Sequence, residues 1–154
     1  MRLFSQADSI PTIRNLIYIE AGGAAGYYSI NYERSICCCN YLTVAARIGL
    51  SSYHLRDYTA RFNPDVLVPL TLNSYYGKNH KLELGAGGTI ANVVYANKTD
   101  FKPRRIATFH SVLLMGYRYQ KSSGGAFFRV AYTPIIEFNK HFRHWAGLSF
   151  GYAF

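Results

Sequence analysis

Strict alternation of large apolar residues with small or polar ones, repeated through eight segments, most constrains what this chain can become. Successive side chains on a strand point to opposite faces, so a period of two is a β signal. It predicts strands over 15–22, 27–34, 41–51, 66–75, 81–91, 107–119, 126–135 and 145–154. In the third, Leu42, Val44, Ala46, Ile48 and Leu50 share one face; in the sixth, Leu113, Met115, Tyr117 and Tyr119 do. Val44 and Leu113 read as mid-strand residues of that apolar face. Helical periodicity is hard to find. Apolar residues make up 49 % of the chain and charged residues 16 %, a balance that excludes a disordered, charge-rich chain. No apolar run approaches the ~18 residues of a membrane helix. The expected fold class is all-β, an eight-stranded antiparallel up-and-down barrel.

Alternation alone does not say which face points inward. The charges break the tie. Glu20, Glu33, Arg47, Glu83, Arg118 and Arg129 all fall on the small, glycine-rich face, three of each sign. Such a set can pair across a narrow lumen, whereas the exterior of a soluble barrel is seldom so rich in Gly or so poor in charge. The expectation is an inside-out barrel, apolar outside and polar inside. The connections agree. Short turns at 76–80 and 120–125 alternate with longer connections at 52–65, 92–106 and 137–144, as in barrels with short periplasmic turns and longer external loops. Two connections depart from this rhythm: 23–26 is short, and the turn holding Cys37, Cys38 and Cys39 reads as long. Three adjacent cysteines fit no zinc spacing and read as inert thiols, so neither a metal nor a cofactor is expected.

The last strand carries Leu148, Phe150, Tyr152 and Phe154 in alternation up to a terminal Phe. This resembles the C-terminal assembly signal of outer-membrane β-barrels, read by the barrel-insertion machinery. Tyr28-Ser29-Ile30-Asn31-Tyr32-Glu33-Arg34 and His80-Lys81-Leu82-Glu83-Leu84-Gly85 also resemble pieces of the "outer membrane protein beta-barrel domain" group. Over 15–154 the chain is similar to the small eight-stranded barrels of Gram-negative outer membranes. The resemblance implies a transmembrane β-barrel integral to the cell outer membrane, with both termini in the periplasm. Residues 1–14 would then be a signal-peptide remnant, Met1 to Ser5, followed by a periplasmic segment.

The formal charge is +9, which points to an anionic partner. The expected external loops hold Arg56, Arg61, Lys98, Lys102, Arg104, Arg105, Lys140 and Arg143 against Asp57, Asp65, Asp100 and Glu137. In an outer membrane the adjacent anion is lipopolysaccharide phosphate, which Arg and Lys hold by charge-assisted hydrogen bonds. Nucleic acid is not the expected partner: base-stacking barrels mix aromatics and cations on one face, and here the two are separated. Catalysis is not expected either. His110 and Ser111 are strand neighbours facing opposite ways, while His54, His141 and His144 lie in loops. The expected role is a non-enzymatic barrel with a side-chain-plugged lumen, structural or interacting in the cell envelope, as a subunit of a larger complex or alone. Two alternatives stand beside it: a lipid A-modifying membrane enzyme, and a soluble barrel binding a small apolar ligand.

Overall fold

The computed structural model describes residues 14–39, 41–57, 59–96, 102–137 and 142–154. Expectations for Met1 to Ser5, Lys98, Asp100, Lys140 and His141 fall outside these residues. The strands are β1 (Asn15–Gly22), β2 (Tyr28–Cys39), β3 (Leu42–Leu50), β4 (Val66–Gly77), β5 (His80–Ala96), β6 (Pro103–Gln120), β7 (Gly125–Tyr132), β8 (Ile135–Glu137), β9 (Phe142–Arg143) and β10 (Ala146–Ala153). One short 3-10 turn, Gly23–Ala25, joins β1 to β2.

Each of the first six strands pairs antiparallel with the next. β10 closes the circle between β7 and β1. Eight strands therefore make the barrel, and closure removes the unpaired edges an open sheet would expose. The small pair β8–β9 sits outside this circle, attached to β6 at His110–Val112. Asn15 and Phe154 exchange backbone hydrogen bonds of 3.1 and 2.9 Å, so the start of β1, the end of the described chain after β10 and the three short turns share one end of the barrel.

Burial runs opposite to that of a water-soluble barrel. Ile19, Ile30, Leu84 and Met115 are 60–62 % exposed, whereas the side chains of Glu20, Glu33, Arg118 and Arg129 are at most 2 % exposed. Both sets follow from the same alternation.

Several element bounds differ from the sequence expectation. The ladder between β5 and β6 continues from Asn92 opposite Ala107 to Ala96 opposite Pro103, so most of 92–106 is hairpin rather than loop. Val93, Val94, Tyr95 and Ile106 supply the β-branched and aromatic side chains that favour it. Arg104 and Arg105 are thus strand residues. β2 reaches Cys39 by way of a register shift between Ser35 and Cys37, with Ile36 as the extra residue. The three cysteines stand at a strand end, and the connection after them is short, not long. The expected seventh strand breaks at Thr133-Pro134, because Pro134 has no N–H for the ladder. Thr133 instead donates to the Trp145 carbonyl at 2.8 Å. Val44 is only the third residue of β3, close to the turn end rather than at mid-strand.

Candidate functional site

The lumen is filled from the inward-facing row of each strand. Arg47 on β3 reaches Glu20 on β1. Glu20 also accepts from Arg129 on β7 at 2.8 Å, and Arg129 bonds Glu83 on β5 at 3.0 Å. Arg118 on β6 stands 3.5 Å from Glu83 and bonds Glu33 on β2 at 2.6 Å. The order Arg47–Glu20–Arg129–Glu83–Arg118–Glu33 is an alternating chain across six strands whose formal charges cancel. Neutral side chains take up further donors and acceptors. Asn31 accepts from Arg47 at 2.8 and 3.0 Å, Asn73 donates to Glu33 at 2.9 Å, and Gln120 accepts from Arg118 at 2.9 Å. Isolated buried charges would be untenable; paired and hydrogen-bonded ones persist.

Three rings complete the packing. The Arg118 guanidinium lies 4.0 Å from the Tyr75 ring centre and 4.8 Å from that of Phe127, and Arg129 lies 4.8 Å from that of Tyr18. Tyr18 also accepts from Arg129 at 3.1 Å. The charge-based reading named none of these rings as part of the cluster. Parity places each of them: Tyr18 is two before Glu20, Phe127 two before Arg129, and Tyr75 two after Asn73.

The connection after β1 is short because it folds into the barrel mouth. Ala24 and Ala25 are 2 % and 1 % exposed. Thr89 on β5 donates to the Ala24 carbonyl at 2.7 Å, Trp145 donates its indole N–H to the Gly26 carbonyl at 3.0 Å, and the Tyr53 hydroxyl donates to the Ala25 carbonyl. Burial pushes the Tyr53 phenol above the ordinary tyrosine value, so it stays a donor. Gly23 adopts φ +75°, and a Cβ there would run into the Glu20 carboxylate. Gly23-Ala24-Ala25 is therefore a lid of minimal bulk directly above the charge chain.

The basic side chains expected outside the barrel are dispersed. Arg56 and Arg61 lie exposed in the connection between β3 and β4, Lys102 and Arg104 at the start of the β6 arm, and Arg143 on β9. Arg105 is held down: it donates to Asn63, to the Pro64 carbonyl at 3.0 Å and to Asn92 at 3.3 Å. In the same connection the Asp57 carboxylate accepts from the Thr59 hydroxyl at 2.6 Å and the Thr59 amide at 2.9 Å, and these bonds hold it below the usual aspartate range. Asp65 ties the connection to β5 by accepting from the Val94 amide at 2.8 Å, and His54 sits 3.0 Å from its other oxygen. Leu148, Phe150 and Tyr152 on β10 and Phe154 just after it all face outward, 47–62 % exposed. His110 and Ser111 keep opposite facings on β6.

The sequence matches no family model and no curated protein. Two solved structures are similar in fold. The N-terminal β-barrel domain of Pseudomonas aeruginosa OprF superposes with a TM-score of 0.59 at 19 % identity, covering 92 % of this chain and 98 % of that one. The Yersinia pestis outer membrane protein Ail, solved in a phospholipid bilayer nanodisc, gives 0.55 at 10 % identity, covering 92 % and 99 %. The chain has the closed eight-stranded fold of these outer-membrane barrels, with a neutral chain of six buried charges in its interior.

Proposed function

We propose that this protein is an integral barrel of the cell outer membrane, non-enzymatic, with a plugged lumen and a structural or interaction role in the envelope. One observation carries the reading: the barrel is apolar on its outer surface and charged within. In water such a surface would aggregate; in a bilayer it matches the solvent. An eight-stranded barrel has room only for side chains or one small ligand, and here the charge chain occupies the middle, which argues against a general pore. The start of β1 and the end of β10 lie on the short-turn side, which in this class of barrel would face the periplasm, and both termini would then be periplasmic. Exposed Arg56, Arg61, Lys102, Arg104 and Arg143 would face lipopolysaccharide phosphate at the other end. Insertion would be guided by Leu148, Phe150, Tyr152 and Phe154. Complex partners would meet the protein at the exposed connections and the β5–β6 arm.

Membrane fractionation combined with heat-modifiable gel mobility tests the reading. The protein is expected in the outer-membrane fraction, migrating differently before and after boiling. Recovery as a soluble protein with a single mobility would overturn it. Unchanged lipid A by mass spectrometry on overexpression is expected of a non-enzymatic barrel; a modified species would instead favour the lipid A enzyme.

A further inference from the structure

The three cysteines, consecutive in sequence, are divided by the fold. Without the extra Ile36, Cys37 and Cys39 would continue the inward row of Glu33 and Ser35, whose hydroxyl meets that of the buried Tyr75 at 2.9 Å. The register shift reverses this. Cys37 stands opposite Val44 and Cys39 opposite Leu42, on the outer face. Cys38 stands opposite Thr43, whose own partner on β4 is the inward Tyr75. Bulges re-aim side chains, and this one delivers two thiols rather than one to the outer face.

Those two thiols are neighbours in space. The Cys37 and Cys39 sulfurs lie 3.9 Å apart, close enough for one to donate weakly to the other, and both residues are exposed. Two strand steps of about 3.3 Å set their Cα atoms roughly 6.6 Å apart. Disulfides span about 4.4–6.8 Å between Cα atoms, so a bond of about 2.05 Å between these sulfurs is within reach. It falls at the upper edge of that range, where an exposed disulfide is the more easily reduced. Cys38 points to the other face and is kept out of the pair by direction. All three close β2 at the short-turn end, within reach of a dissolved reagent.

We propose that Cys37 and Cys39 form a reversible dithiol–disulfide couple, oxidised by a dissolved disulfide and readily reduced again by thiols. The thiolate of one cysteine attacks a sulfur of the oxidant, forming a mixed disulfide and releasing one thiolate. The second cysteine's thiolate then attacks the protein sulfur of that mixed disulfide, closing the internal bond and expelling the other thiolate. Two electrons pass to the oxidant, which leaves as two thiols carrying the protons of Cys37 and Cys39. This goes beyond a structural barrel, since it adds a redox-modifiable site apart from the buried charge chain. On the outer-membrane reading the couple faces the periplasm, where disulfides persist, but its chemistry does not depend on that reading.

The test uses the full chain folded in detergent micelles, with folding checked by heat-modifiable mobility, and oxidised glutathione as the probe. Free thiols are counted by alkylation and mass spectrometry. The count is expected to fall from three to one per chain, with no glutathione retained, and to return to three with dithiothreitol. Cys38→Ser should keep the closure, its count falling from two to none. Cys37→Ser and Cys39→Ser should each lose it and retain bound glutathione instead. Three alkylatable thiols under excess probe, closure lost in Cys38→Ser, or a covalent dimer in place of the internal bond would overturn the proposal. Because only folded barrel in micelles is measured, such a failure leaves the outer-membrane reading untouched.

Discussion

Arg129 touches Glu20, Glu83, Tyr18 and Ser149 at once, from 2.8 to 3.3 Å, with no exposed side-chain surface. Removing its charge leaves two carboxylates buried without their shared partner, a loss of about 3–5 kcal/mol. Arg129→Met should therefore destabilise the barrel by that amount in urea unfolding from micelles. Arg61→Met, at an exposed loop position, should change stability by less than about 0.5 kcal/mol. Equal tolerance of both would mean that the charge chain does not hold the lumen. Asp57 offers a residue-scale test on pH. Hydrogen bonds from Thr59 lower its folded value below 3.8, its ordinary one. A lowered folded value contributes stability that is present above the unfolded value and is lost as pH falls through the folded one. The Thr59 amide resonance should accordingly titrate with a midpoint below 3.8, and Asp57→Asn should abolish the titration. The six lumen charges were legible in the sequence because each breaks the composition of its strand face at a fixed parity. Tyr18, Tyr75 and Phe127 share that parity, which places them inward, yet parity does not tell that their rings meet a guanidinium; the geometry shows it.

At the scale of elements, position along a strand decides the cost of a charge on the outer face. Leu113 lies well inside β6, opposite Ala86, while Val44 stands near the turn end of β3. In a bilayer an outward Arg costs about 2–4 kcal/mol at the midplane and about 0–1 near the interface. Leu113→Arg should thus be strongly destabilising in bilayer refolding and Val44→Arg nearly silent. Similar small effects at both positions would show that water covers this face. The eight barrel strands were readable from period two, and their facing from the six charges that share one parity. Their ends were not, for reasons that differ by element. Val93, Val94 and Tyr95 prefer strand but lack clean alternation, so the β5–β6 arm passed for a loop. The extra Ile36 shifts the parity of β2, which disguised Cys37–Cys39 as a turn. The inward fold of Gly23-Ala24-Ala25 leaves no periodic trace at all; the run of small residues from Gly22 to Gly26 is its one signal, and it reads equally as an ordinary loop.

At the scale of the whole molecule, the lid and the charge chain both lie inside the barrel; if they plug it as proposed, conductance in planar bilayers should stay far below that of a general porin. A stable porin-sized conductance would require both to move aside. Assembly is a separate matter from the finished barrel, and Phe154 separates the two. Its backbone closes the last ladder step with Asn15, but its ring is 54 % exposed. Deleting it removes two terminal hydrogen bonds, about 1–3 kcal/mol at most where ends already meet solvent. The deletion variant should still fold in micelles and keep its heat-modifiable mobility. In cells its level in the outer membrane should drop sharply, because the terminal aromatic would be read by the insertion machinery before the barrel exists. The two measurements must diverge for the signal to be real: parallel loss in micelles and cells would make Phe154 a structural residue of the closing strand, and wild-type levels in cells would remove its part in assembly.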